Sequence, residues 1–337
     1  MSAFRMTGRI GRRAIVAMAA LVTLIGAGVA PGSLAAQQPA TSAQVPTEPG
    51  APVEKQLGPA DIIMPHITDS KTIEFPCYRG VGEWACEGTF AVHNVTVAGH
   101  TFDLGLTKHI FFMILSAILV LALLIFTARA HVRSTHAVGR PKGFAAGLEA
   151  VILYLRNEIY LPVLGGHGGA AYVPFCLTLF FFILFCNLFG LIPYGSTPTG
   201  NIAVTGTLAA VTFVVVEVAG MRTLGKGYIG TIVYWPHDMP VVMKSLLTIV
   251  MTPVEIIGKF TKPFALTIRL FANMIAGHVI ILALIGMIFL FGWIISPLPV
   301  IMAIGIMVLE ILVAAIQAFI FSLLAAVFIG QIRAAHH

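Results

Sequence analysis

"LTIRLFANMIAGHVIIL", residues 266–282, places an arginine inside a run apolar enough to lie in a bilayer. Between residues 264 and 332 the only formally charged side chains are Arg269 and Glu310. An arginine at mid-membrane costs about 2.5–3.5 kcal/mol on insertion scales, so it calls for a compensating partner or a function. The same run decides the fold class, because a charge-poor apolar stretch of this length reads as a membrane-crossing helix.

Two such runs close the chain, residues 264–295 and 299–332, of 32 and 34 residues. As helices each would be roughly 48–51 Å long, against a hydrocarbon core of about 30 Å. Both are therefore predicted to tilt strongly or bend. Upstream, residues 170–192 and 202–221 read as two more spans, and residues 110–128 as a fifth. Arg129, His131, Arg133, Arg140 and Lys142 follow that first span, and the positive-inside rule puts them in the cytoplasm. The prediction is an all-α integral membrane protein of about five transmembrane helices, with its N-terminus outside and its C-terminal "RAAHH" inside. Residues 144–160 carry Glu149, Arg156 and Glu158 at helical spacing and read as a helix lying on the membrane surface. Residues 228–262 are broken by Pro236, Pro240 and Pro253, and read as a cytoplasmic-side hairpin or re-entrant lead-in. Glu217 lies about one turn before the end of its span, where it is expected to snorkel or to pair with Arg222.

Composition agrees: 58% of the 337 residues are hydrophobic and 10% charged, against roughly 25% charged in soluble domains. The net charge of +6 forms no basic stripe interleaved with aromatics, which argues against nucleic acid. Residues 1–35 have the parts of a secretory signal: Arg5, Arg9, Arg12 and Arg13, an apolar run over 14–29, and Ser33-Leu34-Ala35 for cleavage. An uncut first helix is the alternative. Residues 36–60 are a Pro- and Ala-rich linker, and residues 62–103 alternate β-branched or aromatic with polar residues. An exported linker and small β-rich ectodomain over 36–105, then a membrane domain over 106–337, is the predicted organisation. The chain has four cysteines. Cys77 and Cys86 fall in the exported part, where a disulfide persists, and are predicted to be bridged. Cys176 and Cys186 read as packing groups rather than a metal site, and no metal or cofactor is expected.

Helical spacing sorts the polar residues of the two long runs. Arg269 and Asn273, four apart, share a face; His278, nine from the arginine, is about half a turn out of phase. Glu310 and Gln317 share a face two turns apart. In antiparallel neighbours His278 and Glu310 can meet on the extracytoplasmic half, while Glu255, fourteen residues before Arg269, lies towards the cytoplasm. The plainer reading is an Arg269–Glu310 ion pair that glues two helices, with His278 a packed ring. A proton route explains more, since protons in hydrocarbon need a chain of titratable or amide-lined stations. One elementary charge crossing 100 mV is worth about 2.3 kcal/mol.

"EIIGKFTKPFALTIRLFANMIAGH", residues 255–278, and "ILVAAIQAFIFSLLAAVFI", residues 311–329, resemble subunit a of bacterial F-type ATP synthases. The resemblance implies two half-channels that do not meet, each opening to one side of the bacterial inner membrane, against a rotating ring of c subunits. It also implies b subunits and the rest of the synthase as partners. Arg269 matches the family's essential arginine, whose permanent charge would favour the deprotonated ring carboxylate and block direct leakage. Asn273 and Gln317 match its polar neighbours, Glu255 the acid of the cytoplasmic half-channel, and Asn187 a polar residue of the outward span. His278 and Glu310 occupy positions where some members carry the acid first and the histidine second. Gly190 stands where some members carry another acid.

A secondary ion transporter with an Arg/His/Glu relay is the competing reading, weakened because no inverted repeat is visible. An intramembrane enzyme is weaker still: HExxH, GxSxG and GxxxxGK[ST] patterns are all missing, and "GGHGGAA" lacks the lysine and hydroxyl of a phosphate loop. The chain is thus expected neither to bind nor to hydrolyse ATP.

Overall fold

The computed structural model describes residues 69, 72–80, 83–89, 94–97, 100–103, 107–136, 143–165, 168–192, 195–233, 240–291 and 296–334. The expected signal peptide and the whole 36–60 linker lie outside them. Four short strands come first: β1 (Thr72–Gly80) pairs antiparallel with β2 (Glu83–Thr89), and β3 (Asn94–Val97) with β4 (His100–Asp103). Phe75 stands opposite Cys86 in the first ladder, while the side chains of Cys77 and Cys86 lie outside the described residues.

The remainder is helical. In order come α1 (Lys108–His136), α2 (Phe144–Tyr154), a π-helical turn (Leu155–Tyr160), α3 (Leu161–Leu164), α4 (Val173–Gly190), α5 (Ile202–Leu224), α6 (Val241–Phe291) and α7 (Pro297–Ala334). Among the described residues five helical segments are long and apolar enough to cross a membrane, which gives a multi-pass membrane protein. Local chemistry starts and stops them. Pro174 sits in the first turn of α4, where its missing N–H is no loss. Asn201 caps α5 by accepting from the Ala203 N–H at 2.9 Å. Hydroxyls inside the helices bond back to carbonyls four residues earlier, as in Ser116 to Phe112, Thr178 to Pro174 and Thr212 to Leu208. Hydrocarbon offers no other partner, so this removes the cost of an unsatisfied hydroxyl.

α4 is the hub. Leu179, Phe182, Ile183 and Cys186 are buried against Met113 and Val120 of α1, Leu208 of α5, and Phe321 and Ala325 of α7. Small residues on α7, Ala314, Ala318, Ala325 and Ala326, are completely buried and let its backbone approach closely. Near its far end Arg333 donates to the Leu164 carbonyl at 2.9 Å, tying α7 to α3.

Three expectations change. The stretch 228–262, expected as a hairpin or re-entrant lead-in, is from Val241 onward part of α6, which runs unbroken for 51 residues through Pro253 and Pro263, roughly 76 Å. Each proline removes one N–H, but in a membrane the helix is the only way to pair the remaining backbone groups, so the run continues. The surface helix over 144–160 is not uniform, because it unwinds into the π turn that buries Tyr160 against Ser322, with oxygens 2.7 Å apart. Glu217 pairs with Lys259 of α6 at 3.4 Å, not with Arg222. A cation on a packed neighbouring helix is a better partner than one a turn away at an exposed helix end.

Candidate functional site

α6 and α7 pack along each other and carry the polar residues of the site. Arg269 lies on the exposed side of α6, and among the described residues no hydrogen bond or ion pair engages it. Around it Phe264, Ile268, Val279 and Ile280 are exposed, and α7 exposes Val308, Leu309 and Leu312. The Arg269–Glu310 pair that would merely glue two helices is therefore not formed. An unpaired guanidinium on an apolar face costs solvation in a bilayer, and an anion brought to that face is what recovers it.

His278 points the other way, into the protein. Its Nδ1 lies 3.0 Å from Glu310 Oε1 and 3.0 Å from the Met274 carbonyl oxygen. Its Nε2 lies 2.9 Å from the Gly190 carbonyl oxygen and 3.2 Å from Thr197 Oγ1. A neutral ring donates from one nitrogen only, whereas a protonated ring donates to the oxygens on both sides. Glu310 is 4% exposed and neither of its oxygens makes a hydrogen bond, although Oε1 is in ion-pair range of the ring. Buried polar atoms are as a rule hydrogen-bonded, so these two oxygens stand out.

Two glycines allow this approach. A Cβ on Gly277 would stand 2.5 Å from Glu310 Oε1, so only glycine admits the carboxylate there. A Cβ on Gly190 would collide with Thr197 Oγ1 and stand 3.0 Å from His278 Cε1. The space that the resemblance assigns to an acid at position 190 is filled here by Thr197 and His278.

Asn187 is completely buried on α4. It donates to the Ala314 carbonyl at 3.3 Å and accepts from Thr199 Oγ1 at 2.6 Å, joining α4, α7 and the Pro198–Gly200 turn. Ala314 lies between Glu310 and Gln317 on one face of α7, so Asn187 extends the polar line from His278 and Glu310 towards the buried Gln317. Asn273 is half-buried on α6. Glu255 lies elsewhere: it is exposed, 23 residues before His278, roughly 35 Å along the helix axis. There a cavity of about 180 Å³ is lined by Glu217, Glu255, Lys259, Lys262 and Gln331. Lys259 donates to Tyr228 Oη at 2.8 Å as well as meeting Glu217. The structure thus makes two separate polar places, one around His278 and one around Glu255, with Arg269 on the outside between them.

Sequence reasoning passed over Thr197, Thr199, Tyr228 and Lys259. The hydroxyls of "PYGSTPTGN" read as turn residues, and nothing in a sequence links Tyr228 to Lys259, 31 residues on.

Residues 110–330 match the ATP synthase A chain family. The chain is 42% identical over 284 residues to ATP synthase subunit a 2 of Chlorobaculum tepidum, covering 83% of this chain and 75% of that one. It is 41% identical over 302 residues to ATP synthase subunit a of an Anaeromyxobacter strain, with 82% and 71% covered. To ATP synthase subunit a of Myxococcus xanthus it is 42% identical over 259 residues, with 75% and 82% covered. Nothing in these matches supports a secondary transporter. A family match across the spans and relatives this similar over most of their length establish that the chain belongs to the ATP synthase A chain family.

Proposed function

We propose that Arg269 faces the ring of c subunits and separates two half-channels, one through His278 and Glu310 and the other through the cavity at Glu255. The chain itself is a proton-translocating stator subunit of ATP synthase, working in the membrane with the c-ring and the other subunits. The observation that carries the division of labour is the unpartnered arginine on an apolar face, with the histidine and glutamate turned inward from the same two helices.

On this reading a ring carboxylate arriving opposite Arg269 is held deprotonated by a charge that no physiological pH removes. Asn273 lies one turn further along the same helix and supplies a neutral polar group beside that meeting. His278 and Glu310 exchange protons with the extracytoplasmic side, with Asn187 and Gln317 holding the polar line between α4 and α7. Glu255 exchanges protons with the cytoplasm through its cavity. The orientation that fits is an extracytoplasmic N-terminus and a cytoplasmic C-terminus in the bacterial inner membrane, supported by the cations after the first span. Residues 1–35 act as a signal peptide, and Cys77 and Cys86 form a bridge outside.

The test is Arg269→Ala in membrane vesicles carrying the whole complex. Proton-driven ATP synthesis is expected to be lost while ATP hydrolysis by the detached catalytic head is unchanged, because the charge acts on the ring and not on nucleotide. Substantial coupled synthesis by this variant would overturn the assignment.

A further inference from the structure

α1 opens on two ionisable side chains that are almost completely buried, Lys108 and His109. Lys108 has its own interaction. His109 Nδ1 lies 2.6 Å from Asp69 Oδ1, and the same oxygen accepts from the His109 backbone N–H at 3.2 Å. Asp69 belongs to the segment before β1, and its side chain is one quarter exposed. The backbone N–H makes a hydrogen bond to this oxygen, and the ring nitrogen lies in ion-pair range of it without hydrogen-bond geometry.

The same histidine lines a cavity of about 20 Å³ with Ser196, Thr197, Met274 and His278. A cavity holds a water once it reaches about 10–15 Å³ and offers polar partners. Here two imidazoles and two hydroxyls supply them. Ionisable groups therefore run from the partly exposed Asp69, through His109 and the cavity, to His278 and the buried Glu310.

We propose that His109 is the outer proton-transfer residue of the extracytoplasmic half-channel, exchanging protons with His278 through one water in this cavity, with Asp69 positioning its ring. The inference rests on the half-channel reading above and gives the N-terminal segment a task, which is to supply Asp69. In the inward step the His109 imidazolium gives a proton to the water, the water passes one of its own to His278 Nε2, and His278 hands its Nδ1 proton to the Glu310 carboxylate. The water is unchanged, and His109 takes its next proton from the solvent that reaches Asp69. Outward flow runs the same steps in reverse. Burial pushes the Asp69 carboxyl up, but hydrogen bonding and charge from His109 and the Thr107 hydroxyl outweigh it and hold it below its ordinary range. Asp69 thus stays anionic beside the ring and acts through it, as the carboxylate partner of a working histidine does.

The experiment uses vesicles carrying the whole membrane sector with the catalytic head stripped, and reads the initial rate of proton flux under a potassium diffusion potential. His109→Gln keeps a hydrogen-bonding side chain of similar size but cannot carry a proton, and is expected to lower flux at least tenfold with native recovery of the chain alongside the ring. Asp69→Asn should lower it about threefold and Asp69→Glu should retain more than half. The Asp69→Asn, His109→Gln double variant should be no slower than His109→Gln alone, because Asp69 works through His109. Ser196→Val leaves both imidazoles and fills the cavity, so it should lower flux comparably even if His109→Gln fails to assemble. A His109→Gln or Ser196→Val complex within twofold of native overturns the relay, as does a double variant slowed by the product of the two single effects. Absence of flux through the native stripped complex overturns the half-channel reading and the relay with it; native flux with a native-like His109→Gln overturns the relay alone.

Discussion

Gly277→Ala puts a methyl group where Glu310 now lies. The added Cβ would stand 2.5 Å from Oε1 and 2.7 Å from Cδ, and ordinary contact begins at 3.4 Å, so the carboxylate must withdraw by about 0.9 Å. Withdrawal along the line to His278 lengthens their 3.0 Å contact to about 3.9 Å. With the ring protonated and an effective dielectric of about 20, that change weakens the pair by about 1.3 kcal/mol. A relay whose rate follows the population in contact should then slow roughly tenfold. Alanine also favours the helix over glycine, so assembly should not suffer. The assay is the initial rate of ATP-driven acidification in inverted vesicles, normalised to the amount of assembled complex. In a Glu310→Ala background the same Gly277→Ala change should slow the pump little further, because the contact it disturbs is already gone. A Gly277→Ala complex within twofold of native, or an equally large further loss in the Glu310→Ala background, would refute the claim that close His278–Glu310 contact limits the rate.

The exchanged order of histidine and acid gives a second prediction: His278→Glu with Glu310→His should pump faster than either one-sided change, since a lone change sets two acids or two imidazoles together and like charges repel. Lys259→Met strips Glu217 of the cation it meets at 3.4 Å and should lower the thermal stability of the detergent-solubilised complex, by about 1–3 kcal/mol for a partly buried pair. Adding Glu217→Gln should recover most of that loss, and a double variant no more stable than Lys259→Met counts against the pair. Mass spectrometry without reductant should find Cys77 and Cys86 joined, whereas two freely alkylated thiols would remove the bridge and weaken the exported assignment.

Periodicity made the spans legible, because a hydrocarbon solvent punishes charge so strongly that apolar length alone marks a helix. Phase along the helix also showed that Arg269 and His278 point apart, and the structure has one exposed and the other turned inward. The start of α6 was not legible. Pro253 and Pro263 carry the signal that ends helices in water, where a broken backbone can bond to solvent, and that escape is missing in a bilayer. Partners across the fold were hidden as well. Arg222 is five residues from Glu217 and Lys259 is 42, so sequence proximity favoured the wrong cation. Thr197 and Thr199 read as turn residues because their work, closing on His278 and Asn187, exists only once α4 and α6 are packed.

The length of α6 decides how its polar residues are laid out sideways. Its membrane segment, Ser245–Ile288, has 44 residues and is roughly 66 Å long as a straight rod. If the whole rod lay straight within about 30 Å of hydrocarbon, it would lean about 60° from the membrane normal. Glu255, Arg269 and His278 follow one another at 14 and 9 residues, roughly 21 and 14 Å along the axis. At that lean the steps become about 18 and 12 Å across the membrane plane, and only about 10 and 7 Å in depth. Chain spacing is thereby converted into arc. On the proposed assignment, a ring turning in the plane passes the levels of the three residues at different angles, with Arg269 facing it and His278 turned inward, in the order in which the chain lists them, forward or backward with the sense of rotation.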